Sequence, residues 1–348
     1  MSKIGIVIVS YASADVILDC LESLLAAGRP EFRIVVVDNA SPDGTADLIR
    51  RWAGSEEHRT ASDIPFRISR VARPVRLSQG GVDLVPDAAA QVSLIETGAN
   101  LGFAGGVNAG LAHLMRDPEI AHFWMLNPDS VVPPESLAAL SAWARKAGRY
   151  GLMGGRVLYL ERPDRIQIDG GLVNYLTGVT GNDNLNRPAD APPPDPARHD
   201  FVTGASMVAS RAFVDRAGPM REDYFLYYEE VDWALRRGDL PLLHCPELVV
   251  YHRAGTAIGS PKEGQTASPF SLYFKHRGRM RFLRRFNSRA LPVGYAYGMA
   301  KAAGLMRRGE REGARAILAA IHGRPAPKAI VERLSEDARG RAFAAFRP

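Results

Sequence analysis

Apolar residues along this chain fall into short buried-strand runs that alternate with stretches of helical periodicity. Ile4 to Val9 is the first run, and it passes through Ser10-Tyr11 into a segment whose Val16, Leu18, Leu21, Leu24 and Leu25 share one helical stripe. Phe32 to Val37 repeats the strand signature, ends in Asp38-Asn39-Ala40-Ser41-Pro42-Asp43-Gly44, and leads to a predicted helix from about Thr45 to Trp52. Two strand–helix units in succession predict an α/β fold with a parallel sheet and crossover helices. From about 53 to 90 the pattern weakens, and an insertion or irregular hairpin is expected there. Gln91 to Glu96 is a third strand, followed by a glycine-rich segment from Asn100 to Gly110 that opens a helix towards Met115. Phe123 to Leu126 is a fourth strand and stops at Asn127-Pro128-Asp129. Pro133-Pro134 then starts a helix where the missing N–H does no harm, and Gly151 to Leu160 reads as a strand.

Pro188 to Pro196 predicts an extended surface loop, because strand-like sequence resumes at Phe201-Val202-Thr203-Gly204. Leu248 to Tyr251 is a last strand. Beyond Ser271 the sequence turns helical, basic and aromatic, so the expected division is a domain over 1–270 and a helical basic region over 271–348. The domain is expected to divide into two halves, about 1–130 and about 131–270.

Composition places the 348 residues, 46% hydrophobic and 24% charged, in the globular range. No run of eighteen apolar residues occurs, and the first strand is too short for a signal segment, which predicts a cytoplasmic protein with the inner membrane face open to it. Cys20 and Cys245 suggest neither a disulfide nor a zinc framework. The +6 charge concentrates where Lys275, Arg277, Arg279, Arg281, Arg284, Arg285 and Arg289 lie close together. That run reads as a solvated helix face, a diphosphate contact or an attraction to anionic lipid. No nucleic-acid-binding motif accompanies it. Phe282, Leu283, Phe286, Leu291, Tyr295, Tyr297 and Met299 leave the segment either in a membrane interface or packed on the core.

In open α/β sheets, ligands gather at the carboxyl ends of the strands. Those ends carry Ser10-Tyr11, Asp38-Asn39, the Asn100–Gly110 segment and Asn127-Pro128-Asp129. Asp38 suits a turn or a cap, or an acceptor for the imide N–H of a uracil or thymine base. The G-x-G-x-x-G spacing of a dinucleotide site is absent. Glycines at 102, 105, 106 and 110 imply a backbone closely approached by a ligand or a neighbouring strand. Asp129, at the tip of a buried strand, is either a turn residue or a ligand for a cation bridging two phosphates. Glu229 and Asp232 fit a helix start, whereas Glu230, among aromatic and aliphatic residues, has the raised proton affinity of a general base. His252 is either structural or a co-ligand of Asp129.

The ordered set Val9-Ser10-Tyr11, Val37 to Gly44, Asn100 to Gly106, Asn127-Pro128-Asp129, Thr203-Gly204-Ala205, Tyr228 to Asp232 and His252 resembles family 2 glycosyltransferases, particularly the rhamnosyltransferase-like branch, over about residues 4–285. The resemblance implies a GT-A fold, a UDP- or dTDP-sugar donor with dTDP-rhamnose among the options, and a glycan or lipid-linked acceptor. It further implies an inverting, metal-dependent reaction in bacterial surface polysaccharide synthesis. A magnesium or manganese ion would rest on Asp129 and His252. Glu230, preceded by Glu229, matches the family's catalytic acid. Ser10, Tyr11, Asp38, Asn39, Asn100, Gly102, Phe103, Ala104, Gly105, Asn127, Asp129 and Gly204 would line the donor site. Arg277 falls where relatives carry an Arg-Asn pair, with Gly278 in place of the Asn. A nucleotidyltransferase, or a sugar-nucleotide-binding protein of similar architecture, is the alternative.

Overall fold

The first apolar run forms β1 (Lys3–Ser10) in a computed structural model that describes residues 3–27, 31–57, 63–253 and 267–346. Its side chains alternate between faces, as the strand period requires. Ile4, Ile6 and Ile8 pack with Ile17 and Leu21 of α1 (Ile17–Leu25) and with Trp52 of α2 (Thr45–Gly54). Val7 points the other way, into a second cluster with Val35 and Val37 of β2 (Phe32–Asp38). Burial on both faces is why these strands read as unbroken apolar runs.

The segment between α2 and the third expected strand is largely irregular. Among its described residues the one strand, β3 (Leu77–Gly80), is not part of a hairpin: it pairs parallel to β4 (Val92–Glu96). Helix α3 (Gly102–Leu114) lies close against β1, since a Cβ at Gly106 or Gly110 would stand 2.5 Å from Val9 or Val7. Those glycines therefore serve a neighbouring strand. The chain continues through β5 (Ile120–Leu126), β6 (Ser130–Val131), α4 (Pro134–Ala144) and β7 (Leu152–Tyr159).

Three strands follow that the sequence pattern does not announce: β8 (Ile166–Ile168), β9 (Gly171–Asn174) and β10 (Val179–Asn182). After the proline-rich loop, Phe201 makes only an isolated bridge to Gly171, and β11 (Ser206–Ser210) starts later than expected. Helices α5 (Arg211–Ala217) and α6 (Glu229–Leu235) precede β12 (Leu243–His252). The main sheet runs β3-β4-β2-β1-β5-β11-β7-β12-β6 with β8 beside β7, and β9 and β10 form a separate pair. The pairings among β3, β4, β2, β1 and β5, and that of β7 with β12, are parallel. β11 enters antiparallel between β5 and β7 and joins the two halves.

From Pro269 onward the chain is helical: α7 (Pro269–Phe286), α8 (Leu291–Arg307), α9 (Arg311–Ile321), α10 (Lys328–Val331) and α11 (Glu336–Ala342). Phe282 and Leu283 are fully buried against the sheet-side core, and Phe270, Tyr273 and Phe274 share a cluster with Phe225 and the last helices. The basic run is not a simple solvated face. Arg279 and Arg281 are buried, and Arg277, Arg279 and Arg281 donate to backbone carbonyls of Ala342, Thr177 and Asp223 respectively. Among the described residues no helix is long and apolar enough to cross a membrane.

Candidate active site

The parallel register sets Ser10 beside Asp38 and Asp38 beside Glu96, with Leu126 level with Ile8, so one edge of the sheet collects the polar strand ends. Asp38 is buried. Its Oδ1 accepts from Ser10 Oγ at 2.9 Å and Ser41 Oγ at 2.6 Å, and its Oδ2 accepts from Ser41 N at 3.0 Å. It thus closes the local turn and still leaves Oδ2 acceptor capacity. Asn39 donates from Nδ2 to the Gly102 carbonyl at 2.9 Å, and Asn100 Oδ1 accepts from Gly102 N at 2.9 Å. Gly102 sits at φ +74° with the Phe225 carbonyl where a Cβ would point, which a side chain would not tolerate. Phe103, half-buried, lies beside Gly204, and Ala104 and Gly105 are buried in the first turn of α3. Tyr11 follows β1 half-buried.

Asp129 and His252, far apart in sequence, are neighbours because β6 pairs with the end of β12, with His252 opposite Ser130. Their Oδ1 and Nε2 stand 3.1 Å apart, and Asn127 Nδ2 lies 3.1 Å from the same Nε2. His252 Nδ1 donates to Gln167 Oε1 at 2.8 Å, which leaves the Nε2 lone pair facing Asn127 and Asp129. Burial, the largest influence, pulls the His252 pKa down, but the charge and hydrogen bond of Asp129 with the charge of Glu161 together outweigh it, and the net shift is upward. A proton or a cation relieves the same contact, because both bind that lone pair. Among the described residues no three metal-ligating side chains cluster. The chain therefore offers two donors, as suits a cation that completes its shell with phosphate oxygens and water.

Phe225, Tyr227 and Tyr228 all have positive φ, at 66°, 66° and 76°, so the loop into α6 is strained over three bulky residues. It is held by Tyr228 Oη donating to Gly178 O at 2.6 Å and by α7, where a Cβ at Gly278 would stand 2.7 Å from the Tyr227 carbonyl. That contact explains the glycine at 278. The loop gives consecutive acids different surroundings. Glu229 is buried, with Oε2 unpartnered in the protein, and burial followed by the Glu230 charge raises its pKa well above the usual range. Glu230 lines a cleft of about 320 Å³ with Tyr159, Gln167, Thr180, Tyr228, His252 and Lys275. Burial raises its pKa too, while nearby backbone N–H groups and Lys275 pull it back. Asp232, fully buried, is tied to Tyr224, Arg236 and Arg285.

Residues 5–76 match the family model described as glycosyl transferase family 2. A low-salt glycan biosynthesis hexosyltransferase of Haloferax volcanii is 23% identical over 287 residues, 80% of this chain and 75% of the relative. The N-acetylglucosaminyl-diphospho-decaprenol L-rhamnosyltransferase of Mycobacterium tuberculosis is 27% identical over 248 residues, 62% of this chain and 80% of the relative. The protein is a glycosyltransferase that is similar, over residues 5–76, to family 2. Among solved structures, a Pyrobaculum calidifontis mannosyltransferase in complex with GDP-Man and Mn2+ aligns with TM-score 0.48 at 17% identity, over 91% of this chain and 85% of that one.

Of the residues singled out in the sequence, this glycosyltransferase brings Glu230 and His252 to one cleft, sets Asp129 and Asn127 against His252, and gathers Ser10, Asp38, Asn39, Asn100 and Gly102 at the sheet edge. Arg277 does not join them. Its guanidinium donates to the Ala342 and Ala344 carbonyls and lies over the Phe343 ring. No motif or periodicity marks Gln167, which orients His252, or Asp337, whose Oδ2 accepts from Asn100 N at 2.8 Å. Lys275 stands out in the sequence only as part of the basic run.

Proposed function

We propose that this glycosyltransferase is an inverting enzyme that moves a sugar from a UDP- or dTDP-linked donor to a hydroxyl of a glycan or lipid-linked acceptor, with magnesium or manganese. The observation that carries this reading is that Glu230 and His252, the latter 3.1 Å from Asp129, line one cleft of about 320 Å³. Both curated relatives are named for sugar transfer in glycan assembly, and the mycobacterial one for rhamnose and a diphospho-decaprenol acceptor.

On this reading Asp38 accepts the base N–H through Oδ2, and Asn39 and Asn100 hold the Gly102–Gly105 backbone against the donor. Asp129 and His252 bind the cation, which when present neutralises charge on the departing diphosphate. Glu230 removes the proton from the acceptor hydroxyl. The freed oxygen bonds to the anomeric carbon as the bond to the diphosphate oxygen breaks, and the diphosphate leaves with the electron pair. Attack opposite the leaving group inverts the configuration. Residues 1–130 would hold the nucleotide, 131–270 would face the acceptor, and the helical region over 271–348 would complete the cleft through Lys275.

Calorimetry tests the cation assignment. Manganese should strengthen UDP- or dTDP-sugar binding in the parent and should do so little or not at all in Asp129→Ala. An equal manganese effect in both would remove Asp129 from the role. Proton NMR of the product should show the anomeric configuration opposite to the donor's; retention would refute the single-displacement scheme.

A further inference from the structure

Beside the cleft lies a groove of about 670 Å³ between α7, α8 and α9, sharing Tyr227, Tyr228 and Lys275 with it. One part is apolar, with Leu272, Leu305 and Ile317. The other is cationic, with Lys275, Lys301 and Arg308, and no carboxylate is among the lining residues described. Arg308 is already engaged with Glu310. Lys275 and Lys301 make no ion pair within 4 Å of a described carboxylate. Lys275 and Lys301 are both exposed to solvent along the groove; the Lys301 amine sits 5.7 Å from the Tyr297 ring centroid, and desolvation by the groove walls followed by the Lys301 charge lowers the Lys275 pKa against the pull of Glu230. Two cations that repel one another in a half-enclosed groove are stabilised by an anion placed between them.

We infer that this groove binds a prenyl diphosphate, the anchor of a lipid-linked acceptor, with the phosphates between Lys275 and Lys301 and the hydrocarbon along Leu272, Leu305 and Ile317. The inference rests on the assignment of Glu230 to the acceptor hydroxyl, since Lys275 belongs to both walls and fixes the order of groups. A sugar attached directly to the diphosphate reaches Glu230 while its lipid lies in the groove. An apolar chain and two cations in one groove match an amphiphilic diphosphate better than a free glycan, which would leave the apolar part wet. The helical region would then select acceptors by their anchor.

The test is calorimetry on the full chain in EDTA, which keeps phosphate from binding through a cation at Asp129 and His252. The probes are farnesyl diphosphate and inorganic pyrophosphate. Farnesyl diphosphate should bind at least about tenfold more tightly, because only it buries apolar surface. Lys301→Glu should weaken it about tenfold or more, the worth of a hydrogen bond to a charged group. Gly304→Leu should weaken it similarly by filling the groove; its new side chain starts in open space, with no neighbour nearer than Arg308 Nη1 at 3.9 Å. Melting temperatures of both variants report whether they fold, and Lys301→Gln replaces Lys301→Glu if the reversal does not. Unchanged farnesyl diphosphate affinity in folded variants overturns the inference. So does sedimentation with phosphatidylglycerol vesicles, lost in both variants, without farnesyl diphosphate binding, which makes the groove a bilayer headgroup site. Glu230→Gln, which removes a negative charge beside Lys275, should bind farnesyl diphosphate at least as tightly as the parent, so failure of the general-base assignment is read separately, in turnover.

Discussion

Glu229 and Glu230 are adjacent in the chain and differ in what surrounds them. Glu229 points into the interior, so its carboxyl holds a proton in the folded state at pH values where the unfolded chain has lost it. Its folded pKa lies above the unfolded value, about 4.3. The stabilising effect of that proton is therefore complete below that value and is lost as pH rises towards the folded pKa. The loss has a slope of at most about 1.4 kcal/mol per pH unit. Glu229→Gln should flatten this decline in denaturant titrations between pH 5 and 8; parallel profiles for variant and parent would contradict the assignment. Glu230 must be ionised to act as a base, and its raised pKa moves the acid limb of the rate profile above the ordinary glutamate range. Lys275 holds that pKa down, so Lys275→Gln should shift the limb of kcat/KM to higher pH, and an unmoved limb would show that the lysine charge does not reach Glu230. The acid at 230 was legible because a carboxylate among aromatic residues has few structural uses. Lys275 was not, because a lysine among arginines is distinguished only by which way its helix faces.

At the scale of elements, the sequence was readable wherever a strand is buried on both faces, as in β1, β2, β4 and β5. It was unreadable where strands are short and half-exposed. β9 and β10 have four residues each, Gly171–Asn174 and Val179–Asn182, with too little apolar content to mark a period. β6 has two residues, yet it carries Asp129 to His252. The contact between α7 and the strained loop before α6 is equally silent in the sequence apart from Gly278. Gly278→Asn should drive a Cβ towards the Tyr227 carbonyl, 2.7 Å away, and lower stability by about 1–3 kcal/mol, seen as a lower melting temperature. A variant as stable as the parent would mean that α7 does not fix the loop. Helix α11 reaches the edge proposed to hold the donor, where Asp337 accepts from Asn100 N. Asp337→Ala should raise the donor KM about fivefold with little change in kcat, the effect of losing one such hydrogen bond. An unaltered donor KM would confine α11 to packing.

For the whole molecule, the antiparallel entry of β11 between β5 and β7 sets the two halves edge to edge, and the C-terminal helices close over their junction. The basic run looks like surface charge in sequence. In the fold, Arg277, Arg279 and Arg281 fasten this cover by donating to backbone carbonyls, which leaves Lys275 and Lys301 directed to the groove. Glu230 is proposed as the base at the cleft it shares with His252. Sugar-transfer turnover measured beside donor affinity in Glu230→Gln tests it most directly. Turnover should fall by about 10²–10⁴-fold while donor affinity stays at the parent value. Turnover near that of the parent, with a donor bound equally well, would contradict the account.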